Sequence, residues 1–135
     1  NVDAGTDDVS KGIRIFREVN RARKYHFYKN FSPEDYACIL NNAICLIGNS
    51  SSFIREGSYL GVPAVIVGDR QEGREHGKNV VFVDYSKDSI CHAINKQLKH
   101  GRYSPHKVFG KGNAGEQIAH VLSNIALNIK KRLTY

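Results

Sequence analysis

Apolar residues follow two rhythms along this chain. Three short unbroken runs, Ala43-Ile44-Cys45-Leu46-Ile47, Ala64-Val65-Ile66-Val67 and Val80-Val81-Phe82-Val83, have the length and continuity of strands buried on both faces of a parallel sheet. Elsewhere apolar residues recur every three or four positions, as in Val9, Ile13 and Phe16, in Ile90, Ala93, Ile94 and Leu98, and in Ile118, Val121, Leu122, Ile125 and Ile129. That spacing predicts amphipathic helices, in which Ile90, Ala93, Ile94 and Leu98 form one apolar face and Ile118, Val121, Leu122, Ile125 and Ile129 are buried.

The punctuation between the runs agrees with this reading. Thr6-Asp7-Asp8 supplies a cap and first-turn acids, and Ser32-Pro33-Glu34-Asp35 opens a helix that reaches Asn42. A helix is expected over about residues 53–60, closed by Gly61-Val62-Pro63, and Ser86 caps the next. Tyr25-His26-Phe27-Tyr28 reads as a short strand by its aromatic content, residues 100–112 as loop, and a last helix begins near Asn113. Strands alternating with helices over the whole length predict a three-layer α/β domain, Rossmann-like, with a parallel sheet.

The chemistry concentrates after the first buried run. Gly48-Asn49-Ser50-Ser51-Ser52 is a turn at a strand's carboxyl end, with hydroxyls at the start of the following helix. Unpaired N–H groups and the positive end of the helix dipole coincide there, which suits a phosphate or pyrophosphate. One serine as a helix cap with the others solvated explains the residues equally well. Glu56 is not spaced for a capping box with Ser51 or Ser52. It suits a ribose diol, whose two donors an ionised carboxylate can accept, or a surface acid near a helix start. Asp69 to Lys78 is a dense polar loop at the end of the next strand, from which Arg70 and Arg74 can reach an anion held at the serine turn.

Composition narrows the partners only in general terms. The chain has 135 residues, a net charge of +7 and a sequence pI near 9.4, which favours anionic partners. Its basic residues are dispersed apart from Lys130-Lys131-Arg132, so no nucleic-acid stripe stands out. No apolar stretch is long enough to span a membrane, and three cysteines without a C-x-x-C pair read as reduced, so a cytoplasmic protein is expected. The absence of an initiator Met suggests a piece of a longer chain.

Several motifs fail on context. Gly110-Lys111-Gly112-Asn113-Ala114-Gly115 spells G-x-G-x-x-G without a strand just before it or an acid about 20 residues later, so it reads as a turn and helix start. Gly73 to Asn79 is one residue short of a P-loop and lacks its Ser or Thr, and position 52 is not the Gly of a nucleophile elbow. The six histidines show no metal-ligand spacing, and Cys91-His92 points apart on a helix, so neither a metal nor a cofactor is expected.

The segment G-N-S-S-S-F-I-R-E-G-S-Y-L-G-V-P-A-V-I-V-G-D-R-Q-E-G-R-E-H-G-K-N-V resembles the carboxyl-terminal half of UDP-N-acetylglucosamine 2-epimerases, as do the opening N-V-D-A-G and the late F-G-K-G-N-A-G-E-Q-I. The serine-rich turn is more similar to the hydrolysing branch, which makes N-acetylmannosamine and UDP. The resemblance implies a GT-B type fold of two Rossmann-like domains, of which residues 1–135 are the UDP-binding carboxyl-terminal one, with the amino-terminal domain absent. It implies that Ser50 and Ser51 contact the diphosphate, Glu56 the ribose, Arg70 the nucleotide, and the backbone around Phe31 the uracil edge, while Asn1 approaches the cleft. Acid–base catalytic residues are expected in the other domain, so none is assigned here and the fragment alone is expected to be inactive. The expected partners are a UDP-sugar, the amino-terminal domain and further copies of the same chain, with neither nucleic acid nor membrane. A GT-B glycosyltransferase donor domain would use the same turn and carboxylate, and a non-catalytic nucleotide or nucleic-acid binding module is the remaining alternative.

Overall fold

The computed structural model of the chain describes residues 6–20 and 25–126, and it divides after Phe31 into two units. In the first unit, α1 (Thr6–Val19) begins with Asp7 and Asp8 and carries Arg17 in its last turn, an arrangement that complements the helix dipole. Phe16 meets Tyr25 edge-on at 4.9 Å, and the Arg17 guanidinium lies 4.9 Å over the Phe27 ring. Residues 25–28, expected as a strand, are irregular. Strand preference in aromatic residues reflects fit to a half-buried pleated surface, and here the rings pair with α1 and with each other instead.

The second unit is built on a three-stranded parallel sheet in the order β1 (Leu46–Gly48), β2 (Ala64–Val67), β3 (Val80–Val83). Leu46 pairs with Ala64 and Ala64 with Val80, so one face carries Leu46, Ala64, Ile66 and Val80. With Leu40 of α2 (Pro33–Asn42) and Ile54 of α3 (Ser51–Leu60), these residues form the main core. Val65 points to the other face, where α4 (Lys87–His100) lies against β2 and β3 and buries Ala93. Ala64, Val65 and Ile66 are all 0% exposed, so β2 is covered on both sides and the three-layer α/β architecture is realised.

Local signals account for most element ends. Ser32 accepts from the Asp35 backbone N–H at 3.1 Å and its hydroxyl donates to the Asp35 carboxylate at 2.8 Å, a closed cap on α2. Ser86 caps α4 by accepting from the Ser89 N–H at 3.5 Å, without a reciprocal side-chain bond from Ser89. Gly61 ends α3 with φ 70°, a left-handed conformation that glycine adopts without a Cβ penalty.

The structure departs from the sequence expectations at three further places. Ala43, Ile44 and Cys45 lie outside β1, and Ile44 and Ile47 are 75% and 47% exposed. β1 is one of the two edges of this sheet, and α4 lies against β2 and β3 instead, so burial on both faces stops at β2. On α4 the buried partner of Ala93 is Gln97, whereas Leu98 is exposed. α5 (Ala114–Asn124) begins where expected, but Ile118, Val121, Leu122 and Ile125 are exposed, because no described element lies over that apolar stripe. Ile129 lies outside the described residues. No described helix is long and apolar enough to cross a membrane.

Candidate functional site

The serine turn stands at the carboxyl end of β1. Gly48 leaves the strand with φ 146°, and a Cβ built there would come within 3.2 Å of the Phe53 ring, so turn and helix pack closely. Ser50 is the N-cap of α3, its hydroxyl accepting from the Ser52 N–H at 3.3 Å. One serine is therefore a cap, and α3 begins at Ser51 rather than near residue 53. The cap does not exhaust the turn. The Ser50 hydroxyl still has its own proton to donate, and Ser52 Oγ is buried without a hydrogen-bond partner among the described residues. The first turn of α3 contains no acidic side chain, so its positive end is not compensated from within.

Two clefts open from this helix. One, of about 240 Å³, is bordered by Ser51, Ile54, Arg55, Arg74, Glu75 and Phe109. The other, of about 520 Å³, includes Glu56, Tyr59, Tyr36 and Gly110, and shares Arg55 and Phe109 with the first. The Arg55 guanidinium lies 5.8 Å over the Phe109 ring at this shared wall. The structure thus brings Ser51 and Glu56 to adjoining spaces on one helix, with Arg74 facing the serine side. A larger open cleft of about 830 Å³ lies beyond the loop, where Asp69, His76, Phe82 and Tyr85 join Arg74 and Glu75 at the ends of β2 and β3.

The remaining expected site residues are placed as follows. Arg70 is exposed in the loop after β2. Phe31 belongs to the first unit, its ring 4.8 Å from Tyr28, whereas the clefts described are built from the second unit. Asn1 lies outside the described residues. Arg55 and Phe109 were missed in the sequence. Arg55 was within reach, because positions 51, 55 and 59 share one side of a helix. Phe109 gave no signal, since only the return of the chain past α3 brings it there.

The polar loop between β2 and β3 is fastened near its start to the serine turn and near its end to α3. Near its start, Gln71 Nε2 donates to the Asn49 carbonyl at 2.8 Å. Near its end, the Gly77 N–H donates to Ser58 Oγ at 3.0 Å, Ser58 donates to Asn79 Oδ1 at 2.9 Å, and Asn79 Nδ2 donates to the Val62 carbonyl at 2.7 Å. Behind this, Gln97 Nε2 donates to the carbonyls of Ala64 and Asn79 at 3.0 and 2.7 Å, and Tyr103 donates to Gln97 Oε1 at 2.6 Å. The loop as a whole balances three acids against three bases, but a preformed loop that carries Arg70 and Arg74 beside a helix N-terminus is suited to holding a diphosphate and to stabilising charge that develops on it.

Comparison with known proteins adds a lineage to this geometry. The model of the UDP-N-acetylglucosamine 2-epimerase family matches residues 3–123. The chain is 29% identical over 127 residues to a UDP-N-acetylglucosamine 2-epimerase of Neisseria meningitidis serogroup B, covering 92% of this chain and 33% of that protein. It is 34% identical over 95 residues to a polysialic acid biosynthesis protein of Escherichia coli, covering 70% of this chain and 24% of the other. A UDP-N,N'-diacetylbacillosamine 2-epimerase (hydrolyzing) of Legionella pneumophila is 32% identical over 116 residues, 86% of this chain and 28% of that protein. The chain therefore spans between about a quarter and a third of the length of these relatives.

Proposed function

This chain belongs to the UDP-N-acetylglucosamine 2-epimerase family, and from that membership we propose that it is the UDP-binding part of a hydrolysing enzyme that converts UDP-N-acetylglucosamine to N-acetylmannosamine and UDP. The observation that carries the proposal is the placement of Ser51 and Glu56 on one helix, bordering clefts that share Arg55 and Phe109. The diphosphate is held at the α3 N-terminus by Ser50, Ser51 and the loop arginines Arg70 and Arg74. The ribose then lies along α3 with its diol donating to Glu56. A second, amino-terminal domain closes a GT-B type cleft over the sugar.

The reaction gives this domain a definite electrostatic task. A base from the other domain removes the C2 proton of the sugar, the electron pair forms a C1–C2 double bond, and the C1–O bond breaks to release UDP. Water then adds across the double bond to give the free amino sugar. Negative charge grows on the departing diphosphate, and the helix N-terminus, whose first turn holds no acid, stabilises that charge together with the loop arginines. The product feeds sialic-acid-type or related amino-sugar synthesis in the cytoplasm.

Calorimetric titration with UDP tests the binding half of this reading. Saturable binding that Glu56→Ala and Arg70→Ala each weaken by about tenfold is expected, and wild-type protein with no affinity for UDP overturns it. Product analysis on the complete natural protein tests the rest. Free N-acetylmannosamine with UDP identifies the hydrolysing reaction, and UDP-N-acetylmannosamine as the product contradicts it.

A further inference from the structure

Gln71 is 3% exposed, and its carboxamide is used at one end only. Nε2 donates to the Asn49 carbonyl, 22 residues away in sequence, whereas Oε1 is buried with no partner among the described residues. The orientation is fixed by its partner, since a flipped amide would set oxygen against oxygen. A buried acceptor left unpaired costs about 1–3 kcal/mol, so this side chain gives the fold little net stability. Its donor end holds the peptide between Asn49 and Ser50. Because that peptide is planar and trans, fixing the Asn49 carbonyl toward Gln71 directs the Ser50 N–H the opposite way.

The backbone around Gln71 carries the loop's cations. Glu72 N–H donates to the Asp69 carbonyl at 2.8 Å and Arg74 N–H to the Gln71 carbonyl at 3.4 Å, so Arg70 and Arg74 flank Gln71 within one turn. We infer that Gln71 is a positioning residue for the nucleotide diphosphate, locking the serine turn to the Arg70–Arg74 turn so that both meet the anion as one preformed site. This rests on the UDP-binding reading above. A preformed site avoids the ordering cost that two separately mobile segments would bring to binding.

The test is UDP affinity of the complete natural protein carrying Gln71→Met or Gln71→Glu, alone and combined with Arg74→Ala. Gln71→Met keeps the side chain's shape and removes the donor. It is expected to weaken UDP by about tenfold while melting stays within a few degrees of wild type. Arg74→Ala is then expected to cost much less in the Gln71→Met background than in wild type, because the arginine is no longer held in register. Gln71→Glu supplies a readout that does not depend on Gln71→Met folding. Its carboxyl is isosteric with the amide and donates to Asn49 only when protonated, so the affinity deficit relative to wild type shrinks from about pH 8 to about pH 5. A core variant that loses more stability than Gln71→Met, Val65→Ala, serves as control and keeps wild-type affinity. Gln71→Met within twofold of wild type, additive behaviour with Arg74→Ala, or a pH-independent Gln71→Glu deficit overturns the inference. Wild-type protein that does not bind UDP instead removes the reading beneath it, and the two failures are thereby distinct.

Discussion

Ser58 and Asn79, on α3 and at the entrance to β3, share a buried hydrogen bond of 2.9 Å across 21 residues of sequence. The same two side chains receive the Gly77 N–H and satisfy the Val62 carbonyl, so the far end of the polar loop is closed onto the helix that forms the candidate site. Stability of the core and geometry of the loop are therefore linked at one point.

Asn79→Leu is expected to destabilise the protein by about 2–4 kcal/mol, because it strands the Val62 carbonyl and the Ser58 hydroxyl in a buried place. Ser58→Ala should cost about 1–2 kcal/mol, since it leaves the Gly77 N–H and Asn79 Oδ1 unpaired but removes one buried group of its own. Urea denaturation measures both, and equal losses for the two variants would contradict the shared network.

Gly61 ends α3 at φ 70°, and a Cβ there would run into the carbonyl of Tyr103, whose N–H donates back to the Gly61 carbonyl at 2.9 Å. Gly73 has a similar φ of 74° with nothing near its Cβ position. Gly73→Ala should therefore show only the backbone cost of about 1 kcal/mol, and Gly61→Ala about 2–4 kcal/mol. Chemical denaturation of the two variants side by side separates crowding from conformational strain.

Arg74 borders the same cleft as Ser51, which places its charge beside the proposed diphosphate position at the α3 N-terminus. Replacing it with Ala is expected to weaken UDP by about tenfold and to flatten the salt dependence of binding. Arg74→Lys should restore the salt dependence more fully than the affinity, because an ammonium keeps the charge but loses the bidentate fork. Titrations at low and high ionic strength decide this.

Burial pushes the Cys45 thiol above its ordinary range, while Cys38 and Cys91 are exposed. The sign follows from desolvation, which disfavours the thiolate and so lowers its fraction at neutral pH. Maleimide labelling near neutral pH should modify Cys38 and Cys91 first and Cys45 last, as read by mass spectrometry. Because the folded thiol holds its proton to higher pH than the unfolded one, stability is constant below the ordinary thiol range and falls as pH rises through the raised value. Labelling of Cys45 ahead of the exposed pair would contradict its placement.

The local structure of the candidate site is largely legible in the sequence, and the reason is the short reach of helix capping. Gly48 to Ser52 could be read as a turn and helix start because capping acts over three residues, and the same reach made Ser32 and Ser86 readable as caps. Which serine caps was decided only by the backbone, where Ser50 takes the position and leaves Ser51 facing a cleft. Gln71 and Gln97 look like loop and surface residues in sequence, yet both are buried because each meets carbonyls supplied by segments 18 to 33 residues away. Phe109 joined Arg55 for the same reason.

The sequence by itself determined where chain direction changes and, for most runs, which are strands or helices, residues 25–28 being the exception, since these depend on steric and hydrogen-bonding choices a few residues long. It also carried the family resemblance. The tertiary structure decided which apolar residues are covered, because burial depends on neighbours: β2 lies between two strands and two helix layers, whereas Ile47 on the edge strand and the apolar stripe of α5 face no described element. It decided, too, that Ser51 and Glu56 border adjoining clefts with Arg74 beside the first, an arrangement that exists only when the β2–β3 loop is tied back onto α3.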